Sequence, residues 1–387
     1  MGASKAHAFD RRANLNILPA APARQALLVL GMHRSGTSAL TRVLGLCGGA
    51  LPRHKMAAAD SNALGFWEPQ PIVDAHDRFL RAAGTDWEAI ADYPASLFTS
   101  ERAAACRRNL ADLAVREYGD APLFILKDPR ISRLMPLWRP VLDELGVAPR
   151  IVIMVRNPLE IAESLKLRDG WSEHRACIVW LRYLLTAERD TRDLPRCIVG
   201  YGQLMNDWRA TVARLSDQLG VPLPNITGPG RSPAVEREID AFIRPDLRHH
   251  RHGADALFQR GDIADCVKQA YRCLSDAAET GTVDHAALDR IAVMLDDAEE
   301  TLERITHSGG RPIQIRGIAR DIAHGPTMPD AGDTLTALML AEIERANDVA
   351  KRSQRLVSEM RGTWSWRFTK PLRALGRTAG RVMGKRA

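Results

Sequence analysis

Apolar residues along the chain fall into short continuous runs that alternate with stretches of helical period. Ala26–Leu30, Leu123–Leu126, Ile151–Val155 and Cys197–Tyr201 are almost wholly apolar, as strands buried on both faces of a sheet are. From Thr37 the period changes, and Leu40, Val43, Leu44 and Cys47 share one helical face. Ile72, Val73, His76, Phe79 and Leu80 form a second such face. A third helix is expected over Ser100–Tyr118, with Ser100 as N-cap. Asn157 caps a fourth helix, which has Pro158 at its first position and runs to Leu167. Further helices are expected over Trp171–Asp190 and around Leu204–Leu219. Strand followed by helix, repeated, predicts an α/β protein with a doubly wound parallel sheet flanked by helices. In such sheets ligands gather at the carboxyl ends of the strands.

Composition sets limits on the class. The chain has 387 residues, 45% hydrophobic and 26% charged, and so can bury a sizeable core. No apolar run is long enough to span a bilayer, and the first 25 residues lack a signal peptide's apolar core, so a cytoplasmic location is expected. The six cysteines form no C-x-x-C pair and are expected to be reduced core residues. A formal net charge of +7 suits anionic ligands, and no nucleic-acid motif accompanies it.

The most informative stretch lies between the first strand and the first helix. Gly31 and Gly36 punctuate a turn in which backbone N–H groups meet a helix N-terminus, a natural anion cradle. Thr37 and Ser38 add hydroxyls, and Arg34 adds a planar cation suited to phosphate or sulfate oxygens. The G-x-x-x-x-G spacing matches a phosphate-binding P-loop, but Thr37 stands where a Walker A loop has its lysine. A kinase or ATPase would lack its cation there. His33-Arg34-Ser35-Gly36-Thr37-Ser38 resembles the 5′-phosphosulfate loop of sulfotransferases that use 3′-phosphoadenylyl sulfate (PAPS). The resemblance implies a P-loop-like fold in which this loop holds the 5′-phosphate and the transferred sulfuryl group, with no metal.

Three further stretches carry the same resemblance. Lys127-Asp128-Pro129-Arg130 closes the second strand, and the family's lysine in such a segment stabilises charge on the leaving phosphosulfate. The residues alone also allow a turn with a surface ion pair. Arg156, with Ser164 two turns into the following helix, is similar to the family's 3′-phosphate site. Gly65-Phe66-Trp67-Glu68 resembles the segment that supplies a glutamate base. Glu68 sits among aromatics that would raise its pKa, although it could instead cap the next helix. Asp74, His76 and His33 are alternative bases. In the segment 242–253, Arg248, His250 and Arg251 fit the basic stretch that closes over the nucleotide in this family. The three histidines there lack the acidic or Cys ligands of a metal site.

The resemblance covers residues 25–275, after an arm at 1–24. Beyond it, 276–332 reads as a helix over Asp284–Ile305 and a Gly/Pro-rich linker. Residues 333–360 form a helical extension whose seam (Met339, Ile343, Ala346, Ala350, Ser353, Val357, Met360) fits a short coiled coil joining two copies, or docking on its own domain. The tail, 361–387, has eight cations, no acid, and Trp364, Trp366 and Phe368 interleaved, which suits an anionic membrane surface. It also resembles tails of bacterial surface-polysaccharide glycosyltransferases. The expected activity is therefore sulfuryl transfer from PAPS, yielding 3′,5′-adenosine bisphosphate, to a surface glycan or its lipid-linked precursor. A P-loop phosphotransferase and a membrane-recruited adaptor are the alternatives.

Overall fold

The computed structural model describes residues 24–59, 62, 65–227, 230–243, 254–307, 336 and 339. Strands β1 (Arg24–Leu30), β2 (Leu123–Leu126), β3 (Val147–Val155) and β4 (Arg196–Gly200) form a parallel sheet in the order β2-β1-β3-β4. Leu28 pairs with Leu126 on one side and Ile151 on the other, which puts the carboxyl ends of the strands along one edge. The two faces of β1 explain its unbroken apolar run. Ala26, Leu28 and Leu30 join one core and Leu27 and Val29 the other, so no position is left for a polar residue.

Helices cover both faces. The larger core holds α2 (Gln70–Ala82), α4 (Glu101–Tyr118), α5 (Ile131–Glu144), α6 (Pro158–Asp169), α7 (Glu173–Arg189), α12 (Asp265–Thr280) and α13 (His285–His307). The smaller holds α1 (Thr37–Leu46), α8 (Tyr201–Asn206), α9 (Trp208–Leu219) and α10 (Pro233–Phe242). Two short helices, α3 (Ala95–Thr99) and α11 (Ala254–Phe258), join them. Ser100 Oγ accepts from Ala103 N–H at 3.1 Å and Asn157 Oδ1 from Leu159 N–H at 3.0 Å, so both expected caps are formed. All six cysteines are free, four of them buried.

Several elements differ from the sequence reading, α3, α10, α11 and α12 among them as unexpected helices. Tyr201 opens α8 instead of ending the fourth strand. The helix expected around Leu204–Leu219 breaks at Asp207, whose carboxylate accepts from Ala210 N–H at 2.9 Å and so starts α9. The helical stretch 131–144 was not expected at all. It is two pieces meeting at Leu134 (φ −115°, ψ 17°), which places Pro136 in the first turn of the second piece, where its missing N–H does no harm.

The boundary expected at 275 lies inside α12, and α13 buries Leu288, Ile291, Leu295 and Ala298 in the main core. Of residues 333–360, Thr336 and Met339 are described. Both are helical and buried, and Met339 belongs to that same core. The rest of the seam, the arm before Arg24, the linker and the tail lie outside the described residues. No helix among the described residues is long and apolar enough to cross a membrane.

Candidate active site

Each strand delivers its next residues to one place. β1 runs into Gly31–Gly36, β2 into Lys127, β3 into Arg156 and β4 into Tyr201. Ser132, at the start of α5, fixes the loop's entry: its Oγ accepts from Gly31 N–H at 2.8 Å and donates to Gly31 O at 3.2 Å. Arg34 (φ 69°) and Gly36 (φ 91°) then take left-handed conformations, which turn the chain sharply into α1. No side chain caps α1, so its first N–H groups remain available to a ligand. Ser35 Oγ is buried without a partner in the middle of this turn. A buried hydroxyl left unpaired beside open helix N–H groups fits a phosphate-bearing ligand.

The loop is held from the β3–β4 side. Arg34 Nε–H donates to Ser164 Oγ at 2.7 Å, and Arg156 Nη1–H donates to Arg34 O at 2.9 Å. The expected pair Arg156 and Ser164 thus meets around Arg34. Two residues that sequence reasoning missed position the arginine. Glu160, buried one turn along α6, accepts from Arg156 Nε–H at 2.7 Å, and Tyr201 stacks on its guanidinium at 4.3 Å. The Arg156–Glu160 spacing of four was a readable signal; Tyr201-Gly-Gln-Leu resembles a Tyr-Glu-x-Leu segment of the family, but with glutamine in place of the acid no role followed for Tyr201.

Tyr201 also explains Gly36. A Cβ there would lie 2.3 Å from Tyr201 Cδ2 and 2.6 Å from Cε2, in a conformation that L side chains rarely adopt. Gly36→Ala is therefore expected to distort the loop and weaken its hold on a phosphate-bearing ligand roughly 5- to 150-fold, the equivalent of about 1–3 kcal/mol of backbone strain. Calorimetric titration against the folded variant checks it.

Lys127 and Glu68 meet on the other side of the loop. Lys127 Nζ donates to Glu68 Oε1 at 2.5 Å, to Phe66 O at 2.8 Å and to Ser38 Oγ at 3.0 Å. Lys127 is 1% exposed and Glu68 4%, so this is a buried pair and not a surface one. Burial raises the Glu68 carboxyl above its ordinary range, and the Lys127 ammonium offsets this only in part. Glu68 does not cap α2: Pro69 holds that position, with no side-chain cap.

Behind Lys127 stands a buried polar chain. Trp138 Nε1–H donates to His76 Nε2 at 2.9 Å, and His76 Nδ1 meets Asp128 Oδ2 at 2.8 Å. An indole N–H can only donate, so His76 Nε2 accepts and Nδ1–H faces Asp128. With its lone pair so occupied, His76 is not available as a base. Burial alone would raise the Asp128 carboxyl, but Arg130 at 2.9 Å and the His76 hydrogen bond outweigh it and hold it well below the usual range. Arg130 extends the chain to Asp77 at 2.6 Å. The Lys-Asp-Pro-Arg run is thus one unit: Asp128 anchors Arg130 and His76, and Lys127 faces the loop. Asp74 is exposed on α2 and accepts from Gln70.

His33 leans on Trp87, its ring centroid 4.2 Å away, and lies 6.0 Å from Tyr183. Its Nε2 is buried without a partner, and burial, reinforced by the Arg130 and Arg168 cations, keeps the imidazole neutral. Trp87 stacks in turn on Trp171 at 5.4 Å. Thr37 is buried as the first residue of α1. Arg248, His250 and Arg251 lie outside the described residues.

The profile of the sulfotransferase family matches residues 26–225, over half of the chain and including every site residue named above except those at 248–251. The chain belongs to the sulfotransferase family. Solved structures similar to it include the sulfotransferase domain of the Synechococcus PCC 7002 olefin synthase, at 19% identity and a TM-score of 0.31, covering 73% of this chain and 97% of that one. The sulfotransferase domain from the curacin biosynthetic pathway is 14% identical with a TM-score of 0.35, covering 71% and 98%. No curated protein matches.

Proposed function

We propose that the protein transfers a sulfuryl group from PAPS to a hydroxyl on a surface glycan or its lipid-linked precursor. The observation that carries this reading is the convergence of Ser38, Lys127 and Glu68 at the N-terminus of α1, beside the Arg34–Arg156–Ser164 cluster. The unpaired Ser35 hydroxyl and the uncapped helix suit a phosphosulfate, and members of the family generally use PAPS. When bound, PAPS supplies an activated sulfuryl group on a phosphate leaving group.

The chain's own residues divide the work as follows. His33 to Ser38 cradle the 5′-side oxygens with backbone N–H groups, the Ser35 and Ser38 hydroxyls and Arg34. Arg156 and Ser164 hold the 3′-phosphate, with Glu160 and Tyr201 fixing the arginine. Glu68 takes the proton of the acceptor hydroxyl as that oxygen attacks sulfur. Lys127 exchanges one of its three present acceptors for the oxygen on which charge develops as the bond to phosphate breaks, the role for which preorganised donors matter most. Thr37 in place of a Walker lysine fits a reaction in which the β/γ-phosphates of a triphosphate are not handled. The tail, 361–387, would bring the enzyme to an anionic membrane from the cytoplasmic side, where lipid-linked acceptors lie.

Calorimetry with 3′,5′-adenosine bisphosphate, 5′-AMP and ATP tests the donor assignment without knowledge of the acceptor. The bisphosphate is expected to bind at least ~10-fold more tightly than AMP, with the preference lost in Arg156→Ala, as for removal of one charge-assisted contact. Equal or tighter binding of ATP would overturn the 3′-phosphate assignment in favour of a phosphotransferase. No binding by any of the three would favour the adaptor.

A further inference from the structure

Segment 65–69, which carries Glu68, runs between two neighbours, and each contributes a cation to the same tryptophan. On one side lies α1: Ser38 Oγ donates to Phe66 O at 3.2 Å, and one turn later Arg42 places its guanidinium 4.7 Å from the centre of the Trp67 ring. On the other side Lys55 pairs antiparallel with Pro69, and Met56 N–H donates to Glu68 O at 2.8 Å. This brings Lys55 Nζ within 5.9 Å of the same ring. Trp67 itself sits at φ 62°, a genuine outlier for a bulky side chain, and its Nε1–H is buried without a partner. An orphaned donor and two cations thus surround the residue next to the base.

The local charge balance singles out Lys55. Arg42 is paired with Glu238 of α10 at 2.5 Å, and His54 with Glu117 of α4 at 2.8 Å. Asp74 of α2 is engaged by Gln70, and Arg53 is exposed. Lys55 is exposed and makes no ion pair among the described residues. The donor machinery on the far side of Ser38 and Lys127 already has its own cations, Arg34, Lys127 and Arg156.

We infer that Trp67, Lys55 and Arg42 form an anion-reading acceptor subsite, so that the sulfated hydroxyl belongs to a glycan already bearing a carboxylate or a phosphate. The inference rests on the reading of Glu68 as the group facing the acceptor. Between the two cations Trp67 offers its ring edge and the unpartnered Nε1–H as a donor to a sugar oxygen, and Lys55 supplies the charge that selects the acidic acceptor. Because Lys55 is exposed, its attraction is screened by salt.

The test is transfer of ³⁵S from labelled PAPS by the full chain onto aryl glycosides of common hexoses, each presented neutral, as the uronate and as the 6-phosphate. A kcat/KM about tenfold or more in favour of a charged form is expected, and the uronate and phosphate arms tell which anion is read. Lys55→Glu should abolish the preference through KM, Lys55→Arg should keep it, and added salt should reduce it in the native chain. Equal use of neutral and charged acceptors, no label on any charged acceptor, or a preference that survives Lys55→Glu would each overturn the inference. Calorimetry with 3′,5′-adenosine bisphosphate separates the two levels. Unchanged affinity in Lys55→Glu confines the effect to the acceptor side, whereas failure of the native chain to bind the bisphosphate removes the donor reading beneath it.

Discussion

Glu68→Gln is expected to cut turnover by ~10²–10⁴-fold while leaving the affinity for 3′,5′-adenosine bisphosphate near that of the native chain. Glutamine keeps the shape of the side chain and can still accept from Lys127, so the loop geometry persists. It cannot take a proton from the acceptor. The pH dependence carries a second signature. The base works ionised, and burial holds its carboxyl above the ordinary range despite Lys127. The rate should therefore fall as pH drops through a value above the roughly 4.3 of a free glutamate. That acid limb should vanish from the residual activity of Glu68→Gln. A kcat–pH profile of both proteins checks it. Near-normal turnover in the variant would shift the role to His33, whose neutral imidazole keeps an unpartnered Nε2 next to Trp87.

Much of this site was legible because its residues sit directly after apolar runs. Lys127 and Arg156 each follow a buried strand of a parallel sheet, and topology alone then places them at one edge. Gly31 and Gly36 were readable because turns that need left-handed backbone use glycine. What the sequence did not reveal depends on contacts between distant elements. That Gly36 is required by the Tyr201 ring follows only once β4 lies beside β3 and Tyr201 opens a helix. His76 resembled a base until Trp138, on a helix with two internal prolines that periodicity could not detect, was seen to occupy its lone pair. Lys127-Asp128-Pro129-Arg130 could be read as a surface ion pair. It is a buried network because α2 brings His76 and Asp77 over it. Local chemistry can be read along the chain; the partners that orient it cannot.

Lys127→Met is the change expected to cost most, because one ammonium serves two functions. The lysine donates to Ser38, Phe66 O and Glu68 at once, so in the proposed reaction it would both face the leaving group and favour the ionised form of its neighbour. Loss of a preorganised donor to the developing charge alone lowers turnover by ~10²–10³-fold. Removal of the cation also leaves Glu68 buried and unpaired. Its carboxyl then rises further, so the acid limb of the pH profile should move to higher pH, opposite to its disappearance in Glu68→Gln. Folding should weaken as well, by about 3–5 kcal/mol where an uncompensated buried charge remains, less as Glu68 takes up a proton. Chemical denaturation across pH distinguishes the two effects, since lowering the pH should restore stability to Lys127→Met without restoring turnover. The double variant Lys127→Met/Glu68→Gln sharpens the separation. With both charges gone, the buried site no longer holds an unpaired ion, so stability should recover most of the loss while turnover stays at the floor. Recovery of activity together with stability would mean that the pair only holds the fold together. Recovery of stability alone would place the ammonium and the carboxylate in the chemistry.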